Sequence, residues 1–182
     1  MIIAAVRNSE DFENAVKSVV SIIFDLAPDI SNIKERIEYA HSFDKMFFAH
    51  IDLATGIGRD KSGIEFLKKL GLDGIISTKA SMIKLAKDAG LKAVQRFFII
   101  DSKSVSATIE GIKNSKADMI EIMPALVFRV IKQLKSEIDV PIIAGGLIET
   151  AEDIKSAKDS GAFAVSTGKR ELWKAEIDEP ER

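Results

Sequence analysis

Pro141-Ile142-Ile143-Ala144-Gly145-Gly146 and, one helix further on, Ala162-Phe163-Ala164-Val165-Ser166-Thr167-Gly168 decide how the rest of the chain is read. Each is a short apolar run of buried-strand type that stops in small residues. A Gly pair lets backbone N–H groups approach an oxyanion closely, and Ser166 and Thr167 add hydroxyls beside the start of a following helix. Two neighbouring strand ends of this kind are how the last two loops of a (β/α)8 barrel hold a phosphate. Gly145, Gly146, Ser166, Thr167 and Gly168 are therefore predicted phosphate-binding residues. A tight strand-to-helix turn is the plainer reading of Gly145-Gly146 taken alone.

Working outward, similar runs recur at an average spacing of roughly 23 residues, each followed by a segment of helical periodicity. Strands are predicted over Ile2–Val6, Val20–Leu26, Met46–Leu53, Gly74–Thr78, Ala93–Phe98, Met119–Met123, Ile142–Ala144 and Ala162–Ser166. Between them, apolar residues at i, i+3, i+4 and i+7, such as Phe12, Ala15, Val16 and Val19, mark helices with one buried stripe. Asn8 and Asp101 are N-cap candidates, Thr150 with Asp153 has the capping-box pattern, and Gly71, Gly90 and Gly161 stand where helices should end. This alternation predicts an α/β fold, a single (β/α)8 barrel over residues 1–182 with a frayed tail at 176–182. Such barrels usually have about 200 residues or more, so a chain of 182 needs short helices and tight loops. An open doubly wound sheet competes, but gives no reason for phosphate-type ends on the last two strands.

Composition narrows the functional classes. A net charge of -2 with 30% charged residues is an ordinary polar surface, without the overall basic bias that announces nucleic acid. The absence of cysteine removes disulfides, a thiolate nucleophile and Cys-ligated metal. Met1–Val6 is too short for a signal-peptide core, and no later run is long enough to cross a bilayer, so a cytoplasmic location is expected. There is no P-loop or HExxH motif.

Side chains of one parity near the C-terminal strand ends face the barrel mouth. Arg7 is assigned to it on the first strand, Asp25 on the second, His50 and Asp52 on the third, Arg96 on the fifth and Glu121 on the sixth, with Lys79 just past the fourth. Each has a plainer reading. Asp25 before Leu26-Ala27-Pro28 can cap the helix beyond it. His50-Ile51-Asp52 fits a metal-ligand pair, an acid/base pair or an internally satisfied hydrogen-bonded pair. Glu121, inside Met119-Ile120-Glu121-Ile122-Met123, needs a cation or a hydroxyl to offset its burial. Arg7 and Arg96 can pair with Asp25, Asp52 or Glu121, or face a phosphate as bidentate donors.

Taken together, Ala4-Ala5-Val6-Arg7-Asn8, His50-Ile51-Asp52-Leu53, Gly74-Ile75-Ile76-Ser77-Thr78-Lys79, Gln95-Arg96-Phe97, Ile120-Glu121-Ile122-Met123-Pro124, the Pro141–Ile148 segment and Leu172-Trp173-Lys174 resemble the glycerol-3-phosphate-responsive antiterminators, the glycerol uptake operon antiterminator regulatory proteins. The resemblance implies a regulator and not an enzyme. It would bind glycerol 3-phosphate as its effector, with no other cofactor and no metal, and act on the leader messenger RNA of a glycerol operon to prevent premature termination. It carries the phosphate site over to Gly145, Gly146, Ser166 and Thr167, and makes Arg7, His50, Asp52, Arg96 and Glu121 matching positions at the mouth. No membrane partner is expected, and homo-oligomerisation is left open. From a different class, an isomerase or aldolase of small phosphosugars would use a carboxylate base or a Schiff-base lysine, for which Lys79 is the candidate.

Overall fold

In the computed structural model, which describes residues 1–174, the eight strands form a closed parallel barrel in sequence order. The elements are β1 (Ile2–Val6), α1 (Ser9–Lys17), β2 (Ile22–Asp25), α2 (Ile33–His41), β3 (Met46–His50), α3 (Lys61–Lys69), β4 (Gly74–Ser77), α4 (Ala80–Asp88), β5 (Lys92–Phe98), α5 (Ser102–Asn114), β6 (Met119–Met123), α6 (Phe128–Glu137), β7 (Ile142–Gly145), α7 (Ala151–Asp159) and β8 (Ala164–Thr167). The predicted tail at 176–182 lies outside the described residues. All eight expected strands are present. The second starts later than expected, at Ile22, and the third gives way after His50 to a 3-10 turn, Ile51–Leu53.

Short helices explain how the barrel fits so few residues. Apart from α5 and α6, each helix has nine residues, and its ends are set by local chemistry. The Asn8 side chain accepts from the Asp11 N–H at 2.8 Å, and Thr150 with Asp153 and Asp101 with Ser104 form reciprocal capping boxes. Gly71, Gly90 and Gly161 end helices at φ of 88°, 74° and 99°, where a side chain would be strained. After β8 the described chain makes a 3-10 turn, Arg170–Lys174, whose Trp173 is 1% exposed and donates its indole N–H to the Thr167 carbonyl at 2.8 Å. The turn packs against both β1 and β8.

Two cores follow from strand alternation. The barrel interior is filled by Ile3, Ile22, Phe24, Phe48, Ile76, Val94, Ile143 and Ala164, and a larger layer between sheet and helices by Ala4, Ile23, Phe47, Ile75, Ile122 and Val165 with the helix stripes. Burying a side chain of this size contributes about 1.5–3 kcal/mol. Gly74 belongs to the interior arrangement, since a Cβ there would run into the Phe48 ring and lie 2.8 Å from the Lys92 carbonyl oxygen. No described helix is long and apolar enough to cross a membrane.

Candidate functional site

Above the interior core, polar side chains replace apolar ones on the same strand faces. On β5 the inward series Val94, Arg96 continues to Phe98; on β6, Met119 leads to Glu121 and Met123; on β8, Ala164 leads to Ser166. The register sets Arg96 beside Glu121 and Gly145 beside Ser166. The result is a buried chain: Arg96 Nε donates to Glu121 Oε2 at 2.6 Å, and Ser166 Oγ donates to Glu121 Oε1 at 2.6 Å. Glu121 is 1% exposed, so both of its oxygens are offset by partners as burial requires. The terminal Nη atoms of Arg96 make no hydrogen bond among the described residues and remain available as a fork.

A cavity of about 240 Å³ opens over this chain, lined in part by Arg7, Arg96, Glu121, Gly146, Ser166, Thr167 and Gly168. It is a small site by the standard of ligand clefts, suited to a small metabolite. Arg7, exposed at the end of β1, has no ion pair among the described residues. Asp11 also borders the cavity, but Arg170 Nε donates to its carboxylate at 2.6 Å. The loop after β7 turns over the cavity through two successive left-handed residues, Gly146 at φ 76° and Leu147 at φ 60°. A non-glycine residue in that region costs on the order of 1 kcal/mol or more and persists only where its surroundings dictate it. The Gly146 carbonyl is tied to the Ala125 N–H at 3.1 Å.

The five phosphate-loop residues converge, but with divided tasks. Gly145 provides space: a Cβ there would collide with Glu121 Oε1 and come within 2.6 Å of Ser166 Oγ, so the glycine makes the Glu121–Ser166 contact geometrically feasible. The Thr167 hydroxyl donates to the Ile148 carbonyl at 3.0 Å and accepts from the Lys169 N–H at 3.1 Å, lashing the last two loops together. Its role is holding the loops, and Gly146, Ser166 and Gly168 complete their cavity-facing edge.

Two assignments to the mouth are corrected, and a third residue is held by protein partners. Asp25 does not face it: the inward residues of β2 are Ile22 and Phe24, so Asp25 points to the helix layer, fully buried, and accepts from Arg36 Nη1 at 2.7 Å. It also accepts from the Ala27 N–H at 3.1 Å, in part the turn-capping role. Lys79 is exposed at the start of α4 and does not line the cavity. Asp52 sits on the 3-10 turn and accepts from Ser77 Oγ, Thr78 N–H and Thr78 Oγ1 at 2.7, 2.7 and 2.8 Å, bracing the end of β4. Burial pushes its carboxyl up, but those hydrogen bonds outweigh burial and hold it below the usual carboxylate range.

His50 is inward and 3% exposed, its Nδ1 has no partner among the described residues, and no hydrogen bond joins it to Asp52 there. Burial first, then the positive charge of Arg96 and to a lesser degree Arg7, lower its pKa to about 4 against the opposing charge of Asp52. It is therefore neutral at physiological pH. Among the described residues no three metal-ligating side chains converge.

Arg36 was missed by the sequence reading. Its signal is an arginine set among Ile33, Ile37 and Ala40 on the buried stripe of α2, a position that demands a buried anion. Leu26, Met123, Leu147 and Ile148 also line the cavity and carry no polar signal that the sequence could reveal.

The chain matches the family model described as Glycerol-3-phosphate responsive antiterminator over residues 2–173. It is 36% identical over 176 residues, covering 94% of this chain and 91% of the relative, to a protein of Escherichia coli (strain K12) described as Uncharacterized protein YgcP. Among solved structures it resembles the glycerol uptake operon antiterminator regulatory protein of Listeria monocytogenes str. 4b F2365, with a TM-score of 0.89, 34% identity and 94% of each chain covered. It also resembles a glycerol uptake operon antiterminator-related protein of Thermotoga maritima MSB8, with a TM-score of 0.82, 34% identity, and 94% of this chain and 96% of that one covered.

Proposed function

The chain belongs to the glycerol-3-phosphate-responsive antiterminator family, and from that premise we propose that the mouth cavity binds glycerol 3-phosphate and that its occupancy sets the affinity of the protein for a glycerol-operon leader RNA. The observation that carries the reading is the cavity itself. It is edged by the loops after β7 and β8, and it holds two guanidinium groups that keep free capacity among the described residues: Arg7, which has no ion pair there, and Arg96, with its Nη fork free.

The charge balance suits a phosphate dianion. Glu121 is offset by Arg96 and Asp11 by Arg170, so Arg7 supplies positive charge with no counterion among the described residues. The phosphate lies against Arg7, the Arg96 fork and the Gly146 and Gly168 edges, and the glycerol hydroxyls reach the Glu121–Ser166 pair. Because ligands of this kind act only through a difference in affinity between two states, the effector must favour the RNA-competent one.

A phosphosugar aldolase is the weaker reading, since the cavity lining contains no lysine and Lys79 lies outside it. An isomerase would need a free carboxylate base, and both oxygens of Glu121 already accept hydrogen bonds.

The test combines calorimetric titration with glycerol 3-phosphate, using inorganic phosphate and glycerol as partial ligands, and a gel shift on glycerol-operon leader RNA with and without the effector. Binding of glycerol 3-phosphate tighter than either fragment, with RNA retarded more strongly in its presence, is the expected result. RNA binding indifferent to the effector removes the switch.

A further inference from the structure

The mouth rim is electrostatically divided. On the half formed by the loops around β7, β8, β1 and β2, the cations outside the cavity, where Arg7 stands, are spent on carboxylates: Lys169 faces Glu149 at 3.9 Å, and Arg170 donates to Glu10 at 2.6 Å and pairs with Asp11. The helices that start there carry acids in their first turns, Glu10 and Asp11 on α1, Glu35 on α2, Glu152 and Asp153 on α7, as the positive end of a helix dipole favours.

The half formed by the loops after β3, β4, β5 and β6 is the reverse. None of α3, α4, α5 and α6 has an acid in its first turn. Lys79 occupies the N-cap of α4, and Lys103 and Arg129 lie in the first turns of α5 and α6, where a cation opposes the dipole. These three and Arg59 are exposed and have no ion pair among the described residues. The carboxylates on this half are held by hydrogen bonds: Asp52 by Ser77 and Thr78, Asp60 by the Gly63 N–H, and Asp101 by the Ser104 N–H. Helix stability does not account for cations so placed. A polyanion does.

Apolar side chains interleave with these charges. Phe98 is 51% exposed and Ile100 86% exposed, in the loop between the Lys79 and Arg129 loops. A duplex would meet such a rim only with phosphates, leaving Phe98 and Ile100 without a role, whereas unpaired bases stack on them. Phe98 also shares its strand face with Arg96, two residues back on β5, so the stacking residue and the cavity arginine ride on one strand end.

We propose that the rim over β3 to β6, from Arg59 through Lys79, Phe98, Ile100 and Lys103 to Arg129, is the surface on which single-stranded RNA docks. The proposal rests on the RNA-binding reading above and adds to it a place and a strand state.

The experiment measures binding of a labelled single-stranded leader RNA, and of a duplex of the same sequence, in saturating glycerol 3-phosphate over a salt series. It compares the wild type with a rim variant (Arg59→Gln, Lys79→Gln, Lys103→Gln, Arg129→Gln), with Phe98→Ala, and with a far-end variant (Lys17→Gln, Lys69→Gln, Lys113→Gln). The rim variant is expected to lose affinity by roughly a hundredfold, its salt slope falling by roughly 0.7 for each cation removed. Phe98→Ala is expected to lose roughly tenfold. The far-end variant should bind within about twofold of wild type if the site is local. Thermal melting checks folding with an opposite sign, because relief of the dipole clash leaves the rim variant at least as stable as wild type, while the far-end variant falls slightly.

Wild-type binding that the rim variant retains overturns the proposed surface and leaves the RNA-binding reading standing. No RNA binding by the wild type overturns both. Duplex bound as tightly as single strand overturns the strand state. Rim-dependent binding to anionic phospholipid vesicles in place of RNA assigns the surface to a membrane and overturns the proposal.

Discussion

Two buried arginine–carboxylate pairs lie on opposite faces of the same barrel wall, and their difference separates support from function. Arg36 and Asp25 meet at 2.7 Å in the helix layer, where the guanidinium also lies 4.9 Å from the Phe12 ring centroid and its Nη2 reaches Ser9 at 3.4 Å. Arg96 and Glu121 meet at 2.6 Å inside the barrel, where the arginine fork ends in a cavity. The chemistry is alike, but Arg36 commits both Nη atoms to Asp25 and Ser9, whereas Arg96 uses only its Nε on Glu121 and keeps both Nη atoms free among the described residues. The pair in the helix layer fastens α2 to β2; the pair inside holds an arginine ready for a ligand.

The sharpest way to break that contrast is Arg36→Ala. Leaving Asp25 buried and unpaired should cost about 3–5 kcal/mol in urea denaturation, with glycerol 3-phosphate affinity of the folded fraction unchanged. Lost affinity at unchanged stability would erase the distinction. Replacing both partners, as Asp25→Leu with Arg36→Met, should restore most of the stability, because an apolar pair escapes the desolvation penalty.

Arg96→Met is the matching test inside the barrel. It removes a charge-assisted donor, so ligand binding should weaken by about 1.5–3 kcal/mol by calorimetry, and stability falls as well because Glu121 loses its cation. Arg7→Met sharpens the comparison: this arginine is exposed and has no ion pair among the described residues, so it should lose similar affinity with a melting temperature that hardly moves.

Gly145→Ala places a methyl group where Glu121 and Ser166 meet. It should destabilise by about 1–3 kcal/mol and weaken ligand binding, whereas the same change at Gly90, with nothing within 4 Å of the added carbon, should show only the cost of its left-handed backbone.

A last expected effect concerns pH. The His50 pKa falls from 6.5 in the unfolded chain to about 4 in the fold, so between those values the unfolded state binds the extra proton. Stability should thus rise with pH across that window and level off above it, with a slope no steeper than about 1.4 kcal/mol per pH unit. His50→Gln should flatten this limb. A variant with the wild-type slope would show that His50 is not the group responsible.

Much of the fold could be read from the chain because its signals are local. Asn8, Thr150, Asp101 and the three helix-ending glycines each act within a few residues, and the strand runs followed from apolar composition. The parity of β2 could not be read. Ile22, Ile23, Phe24 and Leu26 are apolar on both faces, so nothing local says which side Asp25 takes, and a shift of one residue exchanges the faces.

The sequence by itself therefore determined the eight strands, their order, the ends of the helices between them and the small-residue loops that edge the cavity, all of which depend on neighbours along the chain. Only the tertiary structure decided which carboxylate faces the ligand, which arginine is committed to packing, and that Gly145 matters for the room it leaves to Glu121 and Ser166. Those outcomes depend on partners brought together by barrel closure, Ser166 lying 45 residues from Glu121, and on the twofold alternation of strand faces that closure turns into an inside and an outside.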